Sequence, residues 1–340
     1  MPESSLRPGL AFAMDPARTA HVLAGPDLER LAECCRVLDP EPMLELASAR
    51  SARILADTEI LVTSWGCPPI DGRILRLAPR LRLIGHAAGT VKFLVGPEVF
   101  AAGIAVTHAA AANALPVAEF TLAAILFANK RVLQFRELFR RERAANANAA
   151  LASRPIGNFR KTVGIIGASL IGRRVIELLR PFAFELLLCD PFVTAEAAAA
   201  LGARLVPLPE LMRGADVVSL HAPALPSTRH MIDAGMLALL RDGATFINTA
   251  RGSLVDHAAL EALLLTGRID AVLDVTEPEP MPADSPLYDL PNVLLTPHVA
   301  GALGLERQRL GTLIADEVER FARGEPLRYR VDPALLDRSA

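Results

Sequence analysis

The stretch of sequence that decides the fold is Thr162-Val163-Gly164-Ile165-Ile166-Gly167-Ala168-Ser169-Leu170-Ile171-Gly172. An apolar run leads into small residues and then into a helical pattern, which predicts a strand, a tight turn and the start of a helix. Gly167 permits the turn and Gly172 lets helix and strand pack closely, as in the G-x-G-x-x-G fingerprint of dinucleotide-binding units. The free N–H groups at the start of the helix, at Leu170 and Ile171, are suited to a pyrophosphate.

Ser169 stands where this fingerprint has its middle glycine. That glycine normally lets the backbone approach the pyrophosphate. Two consequences of the serine stay open: its hydroxyl bonds a phosphate oxygen, or its side chain pushes the dinucleotide outward. The motif alone also leaves open a β-α-β unit that holds no cofactor.

A carboxylate follows the next predicted strand. Glu185–Cys189 forms that strand, and Asp190 ends it. At this distance from the first glycine, a carboxylate accepts hydrogen bonds from the adenosine ribose and repels a 2′-phosphate, so we expect NAD as the cofactor, not NADP. The alternative is that Asp190 is a turn residue before Pro191.

Short apolar runs alternate with helical patterns along most of the chain. Most runs are apolar almost throughout, as parallel strands buried on both faces are. The alternation predicts an α/β fold with doubly wound parallel sheets. The predicted strands are Glu59–Thr63, Leu81–Gly85, Ile104–Thr107, Thr162–Ile166, Glu185–Cys189, Asp216–Leu220, Ala244–Asn248, Ala271–Val275 and Val293–Thr296.

A domain boundary is predicted near Asn113. Asn113 is suited to cap the start of a helix and Pro116 to its first turn, and the helical pattern then runs to about Arg143. A loop rich in Ala and Asn follows at Ala144–Ser153. The interrupted ladder of strands predicts two separate sheets, one on either side of this helix.

The two predicted domains are residues 113–300, which bind the cofactor, and residues 1–112 with 301–340, which bind the substrate. The second domain is discontinuous because the amphipathic stretch Gly304–Arg323 follows the last strand. We expect this stretch to cross back and pack on the first sheet.

Composition excludes several classes of function. The net charge is −2, so no excess of positive charge indicates nucleic-acid binding. Although 51% of residues are hydrophobic, no single apolar run is long enough to span a bilayer. Met1–Pro8 has no charged lead followed by an apolar stretch, so we expect no secretion signal there. The four cysteines have neither metal-ligand nor disulfide-framework spacing, so we expect a cytoplasmic protein with reduced thiols and no metal. Cys34 and Cys35, adjacent on a predicted helix, are expected to point in different directions.

Charged side chains follow three strands in the last third of the chain. Arg251 comes just past one strand, Glu277 and Glu279 follow the next, and His298 follows the third. These positions lie at the carboxyl edge of a parallel sheet, where ligands bind in open α/β folds.

Seven motifs, in this order and at these spacings, resemble those of the D-isomer-specific 2-hydroxyacid dehydrogenases, the family of D-lactate, glycerate, phosphoglycerate and formate dehydrogenases. They are Gly103-Ile104-Ala105-Val106, Asn113-Ala114-Leu115-Pro116-Val117-Ala118-Glu119, Gly167–Gly172, Ser219-Leu220-His221-Ala222-Pro223, Asn248–Gly252, Asp274–Pro280 and Thr296–Gly301.

The resemblance implies a Rossmann-type cofactor domain inserted in a flavodoxin-like substrate domain. It implies hydride transfer between NAD(H) and a small D-2-hydroxy or 2-keto acid. It also implies a homodimer paired through the cofactor domain about a two-fold axis. We expect neither nucleic-acid nor membrane partners.

Carried over residue by residue, the resemblance assigns a catalytic set. Arg251 grips the substrate carboxylate and polarises the 2-keto oxygen, since guanidinium offers several donors in a fixed fork. His298 protonates that oxygen, or removes the hydroxyl proton in the reverse direction. Glu279 is its acid partner, although Glu277 competes on composition alone. Asp274 lies near the nicotinamide.

Further residues are assigned to ligand binding. His221 is structural or adjacent to the cofactor, and His86 is expected to be an ordinary loop residue. The predicted cofactor-binding residues are Gly167, Ser169, Leu170, Ile171, Asp190, His221, Ala250 and Asp274.

Two loops are predicted to face the substrate. Backbone N–H groups at Gly89 and Thr90 can meet a carboxylate. Lys92 and Phe93 follow them where the family has acidic and amide residues, so interdomain contacts there should differ.

The second loop contains Ser64 and Trp65. Trp65, the only tryptophan, is either a hydrophobic lid over the substrate or a domain-packing residue. No cluster of basic residues suits a phosphate tail, which argues against phosphoglycerate as the substrate.

Two other functions stay open. Some relatives of these dehydrogenases are NAD-sensing corepressors that bind partner proteins, although a pure scaffold does not need the set Arg251, Glu279 and His298. The third possibility is a reductase whose affinity for the cofactor is weakened by Ser169.

Overall fold

The computed structural model describes residues 7–143, 149 and 155–338. They form two compact units: one contains the described residues up to Ala114 and from Ala302 onward, and the other is Leu115–Gly301. The predicted loop at Ala144–Ser153 lies, apart from Ala149, outside the described residues. The assignment of substrate and cofactor roles to the two units stays a prediction.

The strands are short and almost all are buried. In chain order they are β1 (Gly9–Ala13), β2 (Arg36–Val37), β3 (Ile60–Thr63), β4 (Leu83–His86), β5 (Ala105–His108), β6 (Thr162–Ile166), β7 (Glu185–Cys189), β8 (Arg204–Leu205), β9 (Val217–Leu220), β10 (Thr245–Asn248), β11 (Asp270–Leu273) and β12 (Val293–Leu295).

Helices connect successive strands. They are α1 (Gly25–Cys34), α2 (Ala49–Leu55), α3 (Gly72–Leu77), α4 (Pro97–Ala101), α5 (Ala110–Asn129), α6 (Val132–Glu142), α7 (Leu170–Leu179), α8 (Ala195–Leu201), α9 (Leu208–Gly214), α10 (Ala234–Ala238), α11 (His257–Leu265) and α12 (Gln308–Ala322). Short 3₁₀ helices lie at Pro226–Thr228, Gly252–Leu254, Pro286–Tyr288, Gly304–Arg307 and Pro333–Arg338.

The first unit contains a five-stranded parallel sheet in the order β2-β1-β3-β4-β5. This is the flavodoxin-like order, with its switch point between β1 and β3. One face of the sheet is covered by α12, whose Leu310, Ile314 and Val318 pack with Leu10 and Phe12 of β1. The amphipathic stretch after the last strand therefore belongs to this sheet.

The second unit contains a seven-stranded parallel sheet in the order β12-β11-β10-β9-β6-β7-β8. Its first strand β6 lies between β7 and β9, which is the Rossmann arrangement with one additional strand at the edge. Separate apolar clusters cover its two faces. The predicted fold class is therefore confirmed, and all nine predicted strands are present.

The predicted start of the long helix was wrong. Helix α5 begins at Ala110, and Pro116 lies inside it instead of in its first turn. Asn113 lies inside the helix and so does not cap it, and its Oδ1 accepts a hydrogen bond from the N–H of Ala302 at 3.0 Å. The boundary between the units falls within this helix, between Ala114 and Leu115.

The predicted continuous helix to Arg143 was also wrong. The chain breaks between α5 and α6 at Arg131, which has left-handed backbone conformation with φ of 54°. The Arg131 guanidinium donates to the carbonyl of Gly243 at 2.9 Å and to the carboxylate of Asp270. These contacts hold the break in place against the local helical preference.

Helix α5 also contradicts the expectation that no apolar run could span a bilayer. It has 20 residues and a mean hydropathy of 1.6, which suffices by length and composition, and 44% of this segment is buried. Its Ala118 and Ile125 lie in the core of the second unit, and Thr121 bonds Thr249 at 3.2 Å. We interpret α5 as the core helix of an α/β unit.

The adjacent cysteines do not point apart as predicted. Helix α1 ends at Cys34, and Cys35 follows with extended backbone. Their Sγ atoms consequently lie 3.6 Å from one another. The described structure contains no disulfide: Cys34, Cys35, Cys67 and Cys189 are all free.

Candidate active site

The turn after β6 requires glycine at both ends. Gly167 has φ of 95°, and a Cβ there would lie 2.7 Å from the backbone N of Ala222. A Cβ on Gly172 would lie 2.0 Å from the carbonyl oxygen of Gly167. Both positions therefore exclude a side chain, and helix α7 starts directly against the strand.

Ser169 caps helix α7. Its Oγ accepts a hydrogen bond from the N–H of Gly172 at 3.3 Å. The serine side chain is thus turned back over the first turn of its own helix. The N–H groups of Leu170 and Ile171 have no intrahelical acceptor and stay available for an anion.

Asp190 holds this turn from the end of β7. Its Oδ2 accepts from the N–H of Ala168 at 2.7 Å, and its Oδ1 accepts from the N–H of Phe192 at 2.8 Å. Each carboxylate oxygen keeps a second lone pair, so ribose hydroxyls can still donate to it. Asp190 can therefore both stabilise this turn and accept hydrogen bonds from the adenosine ribose.

His221 lies beside the same turn with one ring nitrogen unsatisfied. The side chain is buried, and its Nε2 lies 2.9 Å from Oγ of Ser219. Nδ1 has no hydrogen-bond partner among the described residues. Burial lowers the pKa of His221 to about 3, so the ring is neutral. An orphaned buried nitrogen beside the turn fits a site that a polar cofactor completes.

His298 is paired with Glu279. His298 follows β12 in left-handed conformation with φ of 55°, and its Nδ1 lies 2.6 Å from Oε1 of Glu279. Glu277 is instead bonded by Arg229 at 2.9 Å and lies 3.7 Å from His230. The hydrogen bond from Arg229 is the main reason that the pKa of Glu277 is lowered.

The Asp274 carboxylate binds the backbone of the loop that carries His298. Oδ1 accepts from the hydroxyl of Thr296 at 2.7 Å and from the N–H of Val299 at 2.8 Å. Oδ2 accepts from the N–H of Ala300 at 2.9 Å. Asp274 is buried, so its described contacts orient this loop, and its predicted place beside the nicotinamide stays a prediction.

Arg251 lies three residues past the end of β10. Its guanidinium donates to the carbonyl of Ala250 at 2.6 Å, and its own carbonyl accepts from Nδ2 of Asn248 at 3.0 Å. Desolvation lowers the pKa of Arg251 while the charge of Glu279 acts in the opposite direction, so the two side chains lie within electrostatic reach. Arg251, Glu279 and His298 therefore follow β10, β11 and β12 at the same edge of the sheet, and the described hydrogen bonds join Glu279 to His298.

In the first unit, the two predicted substrate loops follow neighbouring strands β3 and β4. The Ser64 side chain is buried and donates to the carbonyl of Ala87 at 2.9 Å, so it joins the loops to each other. Trp65 lies under the Arg307 guanidinium, 5.4 Å from its ring centroid. Gly89 faces the side chain of Asn113, from which an added Cβ would be 3.4 Å away.

Three features of this unit were missed or misjudged from the sequence. His86 is a buried strand residue, not an ordinary loop residue as expected. Arg307 carried no motif that could have drawn attention to it. Phe93, three residues after Thr90, is 87% exposed, which its apolar character did not predict. Across residues 7–143, 149 and 155–338, no group of three or more His, Cys, Asp or Glu is arranged to hold a metal ion.

Comparison with known proteins identifies the family. Residues 122–300 match the sequence model of the D-isomer specific 2-hydroxyacid dehydrogenase, NAD binding domain. The chain is 33% identical over 273 residues to D-3-phosphoglycerate dehydrogenase of Methanocaldococcus jannaschii, covering 80% of this chain and 51% of that protein. It is 33% identical over 258 residues to glyoxylate reductase of Korarchaeum cryptofilum, covering 76% and 78%.

Among solved structures, a D-lactate dehydrogenase from Aquifex aeolicus complexed with NAD and lactic acid is similar in fold. Its TM-score is 0.70 at 26% identity, covering 93% of this chain and 96% of that one. The protein belongs to the D-isomer-specific 2-hydroxyacid dehydrogenase family, which confirms the predicted family and, through the NAD-binding domain, the predicted cofactor. It spans about half the length of the phosphoglycerate dehydrogenases that it matches.

Proposed function

We propose that this protein is an NAD-dependent oxidoreductase that transfers a hydride between NAD(H) and a small D-2-hydroxy or 2-keto acid. The observation that carries the proposal is the pair of His298 and Glu279, 2.6 Å apart, with Arg251 at the end of a neighbouring strand. A positioned acid–base pair beside a guanidinium is what reduction of a 2-keto acid requires.

In this proposal each side chain of the site has a separate role. Arg251 binds the carboxylate and polarises the keto oxygen through its several N–H donors. Glu279 occupies Nδ1 of His298, which leaves Nε2 as the atom that gives a proton to the keto oxygen. In the reverse direction Nε2 takes the proton of the hydroxyl group. Asp274 keeps the loop of His298 in place.

The turn after β6 offers the groups that would hold NAD(H). The N–H groups of Leu170 and Ile171 would face the pyrophosphate, and Asp190 would accept from the adenosine ribose. Bound NAD(H) supplies the hydride or takes it up. The Ser169 hydroxyl accepts from the N–H of Gly172 and so caps the helix whose start would face the pyrophosphate.

The substrate class is drawn from the first unit and from the relatives. Trp65, Gly89 and Thr90 stay the predicted substrate contacts, while the Ser64 hydroxyl is committed to Ala87. Glyoxylate reductases and phosphoglycerate dehydrogenases are among the similar proteins. Because no basic cluster suits a phosphate tail, we favour an unphosphorylated acid.

A panel of 2-keto acids with NADH, followed at the nicotinamide absorbance, tests the proposal. We expect saturable reduction of at least one small 2-keto acid, a D-configured product, and higher kcat/KM with NADH than with NADPH. Binding of NADH without turnover of any acid in the panel would instead support a cofactor-sensing scaffold similar to the corepressor relatives.

We further propose a homodimer in the cytoplasm, with neither nucleic-acid nor membrane partners. Helix α6 buries none of its residues, and Phe127 and Phe139 are 57% and 60% exposed. A cavity of about 210 Å³ beside Phe127 is lined by Phe120 and Leu133 among others. Such an apolar surface is typical of a subunit contact. Light scattering that gives a monomer at micromolar concentration would contradict the dimer.

A further inference from the structure

His86 links two strand ends of the first unit. It is the last residue of β4 and is only 5% exposed. In the sheet it lies between Thr63 of β3 and His108 of β5. Its Nδ1 lies 2.9 Å from Oγ1 of Thr63, which is fully buried. A buried imidazole at the carboxyl edge of a parallel sheet is placed where ligand-binding loops begin.

The other side of the ring interacts with the next loop. Desolvation is the main reason that the pKa of His86 is lowered to about 4, with His108 adding to the effect, while a hydrogen bond with the backbone of Thr90 acts in the opposite direction. This direction is the one expected if the ring donates to the Thr90 carbonyl. The neutral ring then accepts from the Thr63 hydroxyl at Nδ1 and donates from Nε2.

Each partner of His86 adjoins a predicted substrate loop. Thr63 directly precedes Ser64 and Trp65, and Thr90 itself is in the second loop. Two further hydrogen bonds join the loops beside His86: the N–H of Ala87 to the Thr63 carbonyl at 2.7 Å, and the Ser64 hydroxyl to the Ala87 carbonyl at 2.9 Å. Among the described side chains in these hydrogen bonds between the two loops, the His86 imidazole is thus the only titratable one.

We propose that His86 is a positioning residue that fixes the loop at Gly89 and Thr90 against the loop at Ser64 and Trp65, so that the backbone N–H groups meet the substrate carboxylate in one geometry. This inference rests on the proposed function. His86 touches no reacting atom; it acts through Thr63 and Thr90. Its loss therefore weakens substrate capture and leaves the chemical step and cofactor binding intact.

Two amide replacements separate the two hydrogen bonds of the ring. The asparagine amide overlaps Nδ1 and can keep the bond to Thr63, whereas the longer glutamine amide reaches the position of Nε2 and can keep the bond to Thr90. We expect His86→Asn to raise KM for the 2-keto acid about tenfold with kcat within about twofold, the usual effect of one lost hydrogen bond. His86→Gln, which loses the bond to Thr63, should raise KM several-fold. The Kd of NADH should be unchanged in both.

The chain offers a matched pair of threonine controls. Thr63 and Thr107 are both fully buried on strands that flank β4, but Oγ1 of Thr107 has no partner among the described residues. Thr63→Val should therefore raise KM several-fold, and Thr107→Val should not. Equal effects of the two valine variants would mean that the loss is one of packing, and the positioning role would be wrong.

Fluorescence of the single tryptophan gives a readout that needs no turnover. Trp65 follows Thr63 closely, so His86→Gln and Thr63→Val, which lose the bond to Thr63, should increase acrylamide quenching of its emission at least about 1.5-fold, while His86→Asn and Thr107→Val should match the wild type. If the wild type reduces no keto acid but this pattern holds, the proposed function fails and the loop positioning stands. If the wild type is active and either His86→Asn leaves KM unchanged or His86→Gln leaves both KM and quenching unchanged, the inference is overturned.

Discussion

The backbone N–H of His298 donates to the carbonyl of Asp274 at 2.9 Å, and the Asp274 carboxylate accepts from the two backbone N–H groups that follow His298. His298 is held in left-handed conformation, which costs of order 1 kcal/mol for a residue with a side chain. The contacts of Asp274 on either side of His298 offset this strain and fix the direction of the imidazole.

Asp274→Asn should separate this supporting role from chemistry. An amide has a single oxygen to accept from Thr296, Val299 and Ala300, so at least one donor loses its partner at a cost of about 1–3 kcal/mol. We expect kcat for keto-acid reduction to fall about tenfold or more and Tm to fall by several degrees. The exposed Asp284→Asn is the control, and an Asp274→Asn enzyme with wild-type kcat would refute the role.

His298→Ala tests the proton donor. The loss of a positioned acid–base group should lower kcat by about a hundredfold or more. Binding of NADH, measured by its fluorescence, should hardly change. His230 is a matched control, since it also has left-handed backbone and also faces a glutamate, Glu277. His230→Ala should keep kcat within about threefold; comparable losses in both variants would remove the assignment.

Glu279→Gln and Glu277→Gln distinguish two carboxylates in one loop. Of the two, Glu279 is the carboxylate bonded to the imidazole of His298, so its replacement removes the partner that orients the ring. Glu279→Gln should lower kcat at least about tenfold. Glu277→Gln breaks contacts with Arg229 and His230 and should lower kcat less than about twofold. The choice of Glu279 over Glu277 is tested by the ratio of the two kcat values, and equal kcat values in the two variants would contradict it.

Asp190→Ala should change both cofactor preference and stability. Removal of the negative charge should increase the ratio of kcat/KM with NADPH to that with NADH. The N–H groups of Ala168 and Phe192 lose their acceptors, so Tm should fall as well. Asp190→Asn keeps an acceptor and should shift the preference with a smaller loss of Tm. A wild type that prefers NADPH would contradict the role of Asp190.

The buried His221 makes stability depend on pH. Its pKa is lowered by burial to about 3, whereas in the unfolded chain it is about 6.5. Between these values the unfolded state binds a proton and the folded state does not, so stability is full above pH 6.5 and falls as the pH is lowered. At pH 5 the loss is about 2 kcal/mol.

His221→Gln tests this dependence, because glutamine can still reach Ser219 and does not titrate. The difference in urea midpoint between pH 7 and pH 5 should be smaller in His221→Gln than in the wild type. Part of the difference should persist, since His86 is also buried with a lowered pKa. Identical differences in the two proteins would show that His221 is not buried in the neutral form.

Much of the fold could be predicted because parallel strands buried on both faces are apolar throughout. Strands β2 and β8 were missed since two residues carry no pattern, and β1 was missed because its small Gly and Ala residues do not stand out. The break at Arg131 depends on contacts with Gly243 and Asp270, which are distant in sequence. Local preference cannot predict such tertiary contacts.

The site could be predicted only as a set of positions at strand ends. Chain order places Arg251, Glu279 and His298 at one sheet edge, but the choice of Glu279 over Glu277 needed the spacing of the family. That Ser169 turns back onto its helix is decided by one side-chain torsion, and that His86 bonds Thr63 is decided by strand register. Neither leaves a signal in the sequence.

The packing of α12 on the first sheet has a consequence for synthesis on the ribosome. Leu10 and Phe12 emerge early, but the helix residues Leu310 and Ile314 that cover them emerge only after the whole of the other unit. The unit that is begun first is therefore completed last, and until then an apolar sheet face is open to solvent and to chaperones. A nascent chain stalled before Gln308 should bind a hydrophobic dye and be cleaved readily within its first hundred or so residues, and release of the full chain should abolish both.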